Sequence, residues 1–192
     1  TPLYSSAASD VYKRQDLMGC EMAGKTLGLI GFGAIARETA ARARAMGMSV
    51  IAYDPYVKAD DPAWSRLGAS PAGVPALLAA ADVISLHVPL TGATRNLIDA
   101  AALSAMKPGV IVINAARGGV LDEAALVEAL KAGRIGGAAL DVFEVEPLKG
   151  ERAALFAGCP NLILTPHIAG VTEESNVRVS WVTVDNVRKS LA

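Results

Sequence analysis

The sequence has little of several features that mark whole classes of protein. Two cysteines, Cys20 and Cys159, occur in 192 residues, which is too few for a disulfide framework or a zinc site and favours reduced thiols. The net charge is −1, so no basic excess indicates nucleic acid or an anionic membrane surface. No apolar run reaches the roughly 18 residues that a membrane-spanning helix needs. We therefore expect a cytoplasmic protein that binds neither nucleic acid nor membrane and holds no metal ion.

Apolar residues, by contrast, are abundant and occur in short runs. Hydrophobic residues make up 52% of the chain and charged residues 19%. This composition excludes a disordered chain and suits a sheet that is buried on both faces. The length is sufficient for one sizeable domain but not for two full ones.

From residue 25 onward, β-rich apolar runs alternate with alanine-rich stretches, which is typical of right-handed βαβ units. The predicted strands are 25–30, 49–53, 82–86, 110–114, 137–141 and 162–165. The predicted helices are 34–46, 71–81, 99–106, 122–132 and 171–192, and segment 54–70 is predicted to be a loop. The pattern therefore predicts an α/β fold with a Rossmann-type doubly wound parallel sheet.

The first fifteen residues differ in character from the rest, since they follow neither the helical nor the strand period. They resemble a translated transposase sequencing adapter, whose codons would encode Ser5 to Gln15. We expect residues 1–15 to be a non-native, adapter-derived leader and the biological sequence to begin at Asp16. A natural polar leader is the alternative, and the coding DNA distinguishes the two.

A glycine-rich turn follows the first predicted strand. The segment Gly31-Phe-Gly-Ala-Ile-Ala36 has the pattern G-x-G-x-x-A and opens a helix, where free N–H groups can bind a pyrophosphate. Asp54 follows 21 positions after Gly33, near the spacing at which an acid hydrogen-bonds the adenine ribose. Because its charge would repel a 2′-phosphate, NAD is favoured over NADP. An ordinary strand-to-helix turn with a solvated Asp54 is the alternative.

Three ionisable residues, Arg117, Glu146 and His167, lie just past apolar runs that are predicted to end strands. The carboxyl ends of parallel strands meet at one edge of a sheet, where α/β proteins bind ligands. Imidazole exchanges protons near neutral pH, a neighbouring carboxylate favours its charged form, and a guanidinium fork matches a carboxylate. Taken singly, each residue is more commonly a surface or turn residue. Their joint placement near a dinucleotide turn favours hydride transfer.

From Asp16 to Ala192 the sequence resembles the D-isomer-specific 2-hydroxyacid dehydrogenases, which include phosphoglycerate and glycerate dehydrogenases. Beside the glycine turn, the motifs are His87-Val-Pro-Leu-Thr91, Thr94-Arg-Asn-Leu-Ile98, Asn114-Ala-Ala-Arg-Gly-Gly-Val-Leu-Asp-Glu123, Asp141-Val-Phe-Glu-Val-Glu-Pro147 and Thr165-Pro-His-Ile-Ala-Gly170. The resemblance implies an NAD-dependent oxidoreductase that acts on a CH–OH group. It would transfer a hydride between nicotinamide and a small 2-hydroxy or 2-oxo acid.

The resemblance also implies roles for single residues. His167 would be the acid and base, Glu146 its carboxylate partner, and Arg117 the ligand of the substrate carboxylate. The implied cofactor-binding residues are Gly31, Gly33, Ala34, Ile35, Asp54, Pro89, Thr94, Ala115, Ala116, Arg117, Asp141, His167 and Gly170. Glu144 is a second nearby acid, but the family motif places the functional carboxylate directly before the proline. His87 is assigned to the wall of the cleft.

In this family the substrate domain is built from the N-terminal portion of the chain and the returning C-terminal helix. We therefore expect residues 16–170 to form the NAD-binding domain and residues 171–192 a helix directed toward a substrate domain that is largely missing. A homodimer is expected, as is poor turnover by the chain alone. The alternatives are an NADH-sensing, corepressor-like binding protein on the same fold and an adenosylhomocysteinase-like domain.

Overall fold

The computed structural model describes residues 19–191, which are built around a seven-stranded sheet. The strands are β1 Thr26–Ile30, β2 Ser49–Tyr53, β3 Ala69–Pro71, β4 Val83–Leu86, β5 Val110–Asn114, β6 Ile135–Leu140 and β7 Leu162–Leu164. The helices are α1 Ala34–Ala45, α2 Ala63–Leu67, α3 Val74–Ala80, α4 Ala100–Ala105, α5 Glu123–Lys131, α6 Gly150–Leu155 and α7 Glu173–Leu191. The predicted leader, residues 1–15, lies outside the described residues.

All neighbouring strands pair in parallel, in the order β3-β2-β1-β4-β5-β6-β7. The chain moves outward from β1 to β3 and then crosses back to β4 on the other side of β1. This reversal opens a crevice beyond the carboxyl ends of β1 and β4, where doubly wound sheets bind ligands. The predicted doubly wound parallel fold is confirmed.

Apolar residues on the two faces of the sheet form separate clusters. One cluster joins the sheet to α3, α4 and α5 through Leu77, Leu103 and Leu126, which are almost fully buried. The other packs β1 and β2 against α1, where alanines such as Ala36 and Ala40 allow the helix to approach closely. Both clusters support the strand ends that carry the polar residues.

The prediction that segment 54–70 is a loop was wrong, because it contains α2 and the edge strand β3. The Asp61 carboxylate accepts a hydrogen bond from the Ala63 amide at 2.7 Å and so stabilises the start of α2. The three residues of β3 become a strand only by pairing with β2, and Pro71 is tolerated at the edge of the sheet. The helix predicted at 71–81 consequently begins at Val74.

Most other elements match their predictions closely, and β2 and β5 have the predicted bounds. Strand β6 begins at Ile135, two residues before its predicted start, and α6 was not predicted. The last helix, α7, is 19 residues long and contains no buried residue. Within residues 19–191, no helix combines the length and apolar character needed to cross a membrane.

Candidate active site

The turn after β1 is shaped for close approach of a ligand. Gly31 has φ +95°, and a Cβ atom at this position would lie 2.5 Å from the carbonyl oxygen of His87. Only glycine fits this conformation and this space. Gly33 is the N-cap residue of α1, and in the described part of the chain no side chain caps the helix. Because Gly33, Ala34 and Ile35 are exposed, the amide groups of the first turn are open to an anion.

Asp54 lies directly beside this turn. Its Oδ2 accepts a hydrogen bond from the Phe32 amide at 2.8 Å, and its Oδ1 accepts one from the Tyr56 amide at 2.9 Å. Each carboxylate oxygen has a second lone pair, so Asp54 can accept further hydrogen bonds from a ribose. The structure thus brings together the glycine turn and the acid that the sequence analysis paired with it.

Glu146 and His167 are in direct contact at the opposite side of the crevice. The Nδ1 atom of His167 lies 2.8 Å from Oε2 of Glu146, and Oε1 of Glu146 accepts a hydrogen bond from the Phe143 amide at 2.9 Å. The hydrogen bond from His167, followed by that from Phe143, holds the pKa of the Glu146 carboxyl below its usual value. Since Nδ1 is engaged, Nε2 is the ring atom that can exchange a proton with a ligand.

The backbone of His167 has φ +56°, in the left-handed region that residues other than glycine rarely adopt. Such conformations persist where the surrounding structure fixes them, and they concentrate at functional sites. Asp141 provides the fixing contacts, since it accepts hydrogen bonds from the Thr165 hydroxyl at 2.5 Å and from the Ile168 and Ala169 amides at 2.9 Å each. Burial raises the pKa of Asp141, but these bonds and the charge of His167 outweigh it and lower the pKa overall.

Arg117 is exposed in the turn that follows β5. The Asn114 side chain shapes this turn by donating to the Arg117 carbonyl at 3.0 Å and accepting from the Ala116 amide at 3.1 Å. Ala115 is exposed in the same turn. Arg117 therefore lies at the same edge as the pair, but within residues 19–191 no hydrogen bond connects it to Glu146 or His167.

The loop after β4 contributes the remaining predicted residues. The Thr94 hydroxyl donates to the Pro89 carbonyl at 2.6 Å and accepts from the Thr91 amide at 2.8 Å, so Thr94 shapes the loop. His87 is half-buried with Nε2 3.0 Å from the Ser85 hydroxyl. Burial lowers the pKa of His87, which favours a neutral ring and a place in the cleft wall. Gly170 is exposed beyond β7.

A cavity of about 590 Å³ opens beside the histidine and the glutamate. Its lining consists of Phe143, Glu146, Pro147, Leu148, Leu164, Thr165, Pro166 and His167. Within residues 19–191, no group of three or more His, Cys, Asp or Glu side chains is placed to hold a metal ion. The site therefore combines an exposed helix start, an acid beside it, and an imidazole–carboxylate pair next to a cavity.

Sequence reasoning did not assign three residues that organise this edge, Asn114, Glu123 and Thr165. Asn114 and Glu123 are buried polar residues, and Thr165 hydrogen-bonds Asp141. All three lie inside the quoted motifs. Asn114 could have been found from the sequence, because it is a polar residue at the end of a buried apolar strand. Glu123 and Thr165 have no comparable signal in the sequence.

The fold and this edge define a dinucleotide-binding domain with a histidine–glutamate pair at the carboxyl ends of its strands. Residues 3–169 match the family described as "D-isomer specific 2-hydroxyacid dehydrogenase, NAD binding domain", and the chain belongs to this family. NAD is the cofactor of the domain, and the exposed start of α1 with Asp54 beside it fits that cofactor.

Curated relatives and solved structures agree with this assignment. The chain is 55% identical over 180 residues to an (S)-sulfolactate dehydrogenase from Chromohalobacter salexigens, covering 94% of this chain and 57% of that protein. It is 43% identical over 176 residues to a D-3-phosphoglycerate dehydrogenase from Archaeoglobus fulgidus, covering 92% of this chain and 33% of that protein. The chain thus spans between a third and somewhat over half of these relatives.

Among solved structures, a D-lactate dehydrogenase from Aquifex aeolicus complexed with NAD and lactic acid has a TM-score of 0.82 and 35% identity. The match covers 97% of this chain and 60% of that chain. A glyoxylate reductase from Paecilomyes thermophila has a TM-score of 0.82 and 38% identity, over 90% of this chain and 51% of that chain.

Proposed function

We propose that the protein carrying this chain is an NAD-dependent oxidoreductase that interconverts a small 2-hydroxy acid and its 2-oxo acid. The observation that carries the proposal is the 2.8 Å contact between His167 and Glu146 at the carboxyl edge of the sheet. A bound nicotinamide would supply or accept the hydride. The chain must then supply a proton donor and acceptor and a ligand for the substrate carboxylate.

His167 is proposed to donate a proton from Nε2 to the developing alkoxide in reduction and to take it back in oxidation. The Glu146 carboxylate lies against Nδ1 and orients the ring, so that Nε2 is left to exchange the proton. The exposed guanidinium of Arg117 is proposed to bind the substrate carboxylate through paired N–H donors. In the described residues the Arg117 guanidinium donates one hydrogen bond, to the Ala116 carbonyl at 2.6 Å, and none to Glu146 or His167, so its other N–H groups are left for a substrate carboxylate.

The cofactor would lie across the crevice. The amides of Gly33, Ala34 and Ile35 are proposed to bind the pyrophosphate, and Asp54 the adenine ribose. Asp141 is proposed to orient the His167 loop, since its hydrogen bonds already connect it to that loop. The remaining lone pair of the Asp141 carboxylate would accept a hydrogen bond from the nicotinamide carboxamide.

The exposed apolar side chains of α7 support a two-domain enzyme. Val177, Trp181 and Val184 lie on α7 and expose more than half of their surface, which is unusual for large apolar side chains. We propose that residues 16–170 form the NAD-binding domain and that residues 171–192 pack against a substrate domain. A homodimer and a cytoplasmic location belong to the same proposal.

The test is NADH oxidation with a panel of 2-oxo acids: sulfopyruvate, hydroxypyruvate and glyoxylate. Sulfopyruvate is included because the sulfolactate dehydrogenase relative is 55% identical. The enzyme to assay is this chain joined to the N-terminal portion of that relative, with the chain alone and a His167→Asn chimera as controls. We expect the chimera to oxidise NADH when a 2-oxo acid is added, and we expect neither control to do so. A chimera that binds NADH tightly but reduces none of the acids would favour the corepressor-like alternative.

A further inference from the structure

The peptide unit between Phe143 and Glu144 is contacted from two sides, by Gly118 and by Glu123. A Cβ atom on Gly118 would lie 1.8 Å from the Phe143 carbonyl oxygen, so the turn that carries Arg117 packs directly on this peptide. On the other side, the Glu144 amide donates a hydrogen bond to Oε1 of Glu123 at 2.6 Å. This acceptor belongs to the first residue of α5 and is 21 positions away in sequence.

The preceding peptide unit, between Val142 and Phe143, connects to the acid–base pair, and it shares the Cα atom of Phe143 with the 143–144 peptide. The amide of Phe143 donates to Oε1 of Glu146, whose Oε2 contacts Nδ1 of His167. Because the two peptide units are joined at the Cα atom of Phe143, we expect a displacement of the 143–144 peptide to change the direction of the Phe143 amide, and with it the rotation of the Glu146 carboxylate. Glu123 stands at the start of this series of contacts.

Glu123 is a buried acid, and burying a carboxylate costs free energy unless hydrogen bonds compensate for the loss of water. Its relative exposure is 8%, and burial raises the pKa of its carboxyl, as do the nearby charges of Glu144 and Asp122. The hydrogen bond from the Glu144 amide and the charge of Arg152 oppose that shift. A buried carboxylate of this kind is usually stabilised by a hydrogen bond, which the Glu144 amide provides here.

We propose that Glu123 is a positioning residue of the acid–base pair, which it acts on through the Glu144 amide and the Phe143–Glu144 peptide. The role rests on the proposed function, because it concerns the pair that would transfer the proton. What Glu123 supplies is an oxygen acceptor at the correct reach. A glutamine provides this acceptor, an alanine does not, and an aspartate is one methylene too short.

The chain offers a direct measurement because it has two histidines, His87 and His167. In NMR spectra of the isotopically labelled 192-residue chain, the ring nitrogen signals of both can be followed at one pH. Glu123→Ala should change the chemical shift of the His167 Nδ1 signal, since the Glu146 carboxylate would no longer be held against that atom. Glu123→Gln should leave the His167 signal where it is in the unchanged chain, and the His87 signal should report a native core in both variants.

Glu128 provides a matched control, because it is an exposed glutamate on the same helix. Glu128→Ala should leave the His167 signal unchanged. If Glu123→Ala does not fold, Glu123→Asp takes its place and should change the chemical shift of the His167 Nδ1 signal while Glu123→Gln does not. An unchanged His167 signal in the folded alanine or aspartate variant, or an equal change in the glutamine variant, would overturn the proposal.

A second readout uses the active chimera. There, Glu123→Ala should lower kcat for 2-oxo acid reduction by about 10- to 100-fold, the scale of a small misplacement at a reacting centre, and leave the KM for NADH unchanged. An equal loss in Glu123→Gln would contradict the positioning role. Since the NMR measurement needs no substrate, an inactive chimera would count against the proposed function without deciding the role of Glu123.

Discussion

Glu146 and His167 contact each other at 2.8 Å across the gap between the loops that follow β6 and β7. A further hydrogen bond fixes each partner. The Phe143 amide donates to Glu146, and the Asp141 carboxylate accepts from the Ile168 amide in the loop that carries His167. The ring is therefore presented in one orientation, with Nε2 directed away from the carboxylate. A preorganised pair of this kind can act in a transition state without first rearranging.

Replacing the acid tests the pair directly. Glu146→Gln keeps the shape of the side chain but replaces the carboxylate that contacts Nδ1 of His167 with a neutral amide, so kcat of the chimeric enzyme for 2-oxo acid reduction should fall by about 10²- to 10⁴-fold. Glu144→Gln is the control, because Glu144 is an exposed acid two positions earlier whose carboxylate pairs with Arg152. Steady-state kinetics decide the outcome, and equal effects of the two substitutions would contradict the assignment.

Replacing Asp54 should weaken cofactor binding. Asp54→Ala removes the acceptor of the Phe32 and Tyr56 amides and the proposed ribose ligand, so NADH affinity should drop about 10- to 100-fold, as for loss of a hydrogen bond to a charged group. Titration of NADH fluorescence on the 192-residue chain measures this. Asp54→Asn keeps one oxygen acceptor and should lose less. Equal affinity of the unchanged chain for NADH and NADPH would refute the role of Asp54 in cofactor selection.

Two glycines in the phosphate turn should respond differently to alanine. Gly31→Ala should lower the free energy of unfolding by about 1–3 kcal/mol, because the residue has φ +95° and its Cβ would meet the His87 carbonyl. Gly33→Ala should be nearly neutral for stability, since Gly33 has φ −74° and no atom lies within 4 Å of its added Cβ. Urea unfolding compares the two. Similar losses would show that the close approach at Gly31 is unimportant.

Acid should weaken the fold partly through Asp82. Its Oδ2 accepts the Thr26 amide at 2.8 Å and its Oδ1 lies 3.0 Å from the Lys107 ammonium, and these contacts lower the pKa of Asp82 despite burial. A carboxyl with a lowered folded-state pKa stabilises the fold above its unfolded pKa of about 4, and the contribution is lost as pH falls through the folded value.

Asp82→Asn should therefore destabilise the chain near neutral pH and reduce the loss of stability below about pH 4. The urea midpoint measured from neutral pH down to about pH 3 tests this, with the exposed Asp60→Asn as the control. If the Asp82 variant loses stability with acid as steeply as the unchanged chain, another carboxyl is responsible.

Local patterns in the sequence were sufficient for much of the fold. Apolar runs of β-branched residues predicted β2 and β5 with the observed bounds, and Asp99 and Asp122 cap the helices they were expected to begin. These signals are contained within a few residues and need no partner. Segment 54–70 failed for the opposite reason, because β3 exists only through its pairing with β2.

By itself, the sequence determined which chemical groups follow the strand ends and that those ends share one edge of a parallel sheet. Only the tertiary structure decided which groups touch. Glu146 contacts His167 because β6 and β7 are neighbours in the sheet. Arg117 follows β5 and, in the described residues, forms no hydrogen bond with Glu146 or His167. Glu123 reaches the Glu144 amide from the start of α5. Periodicity reports the face on which a residue lies, whereas contact between residues 21 positions apart depends on strand order and loop conformation.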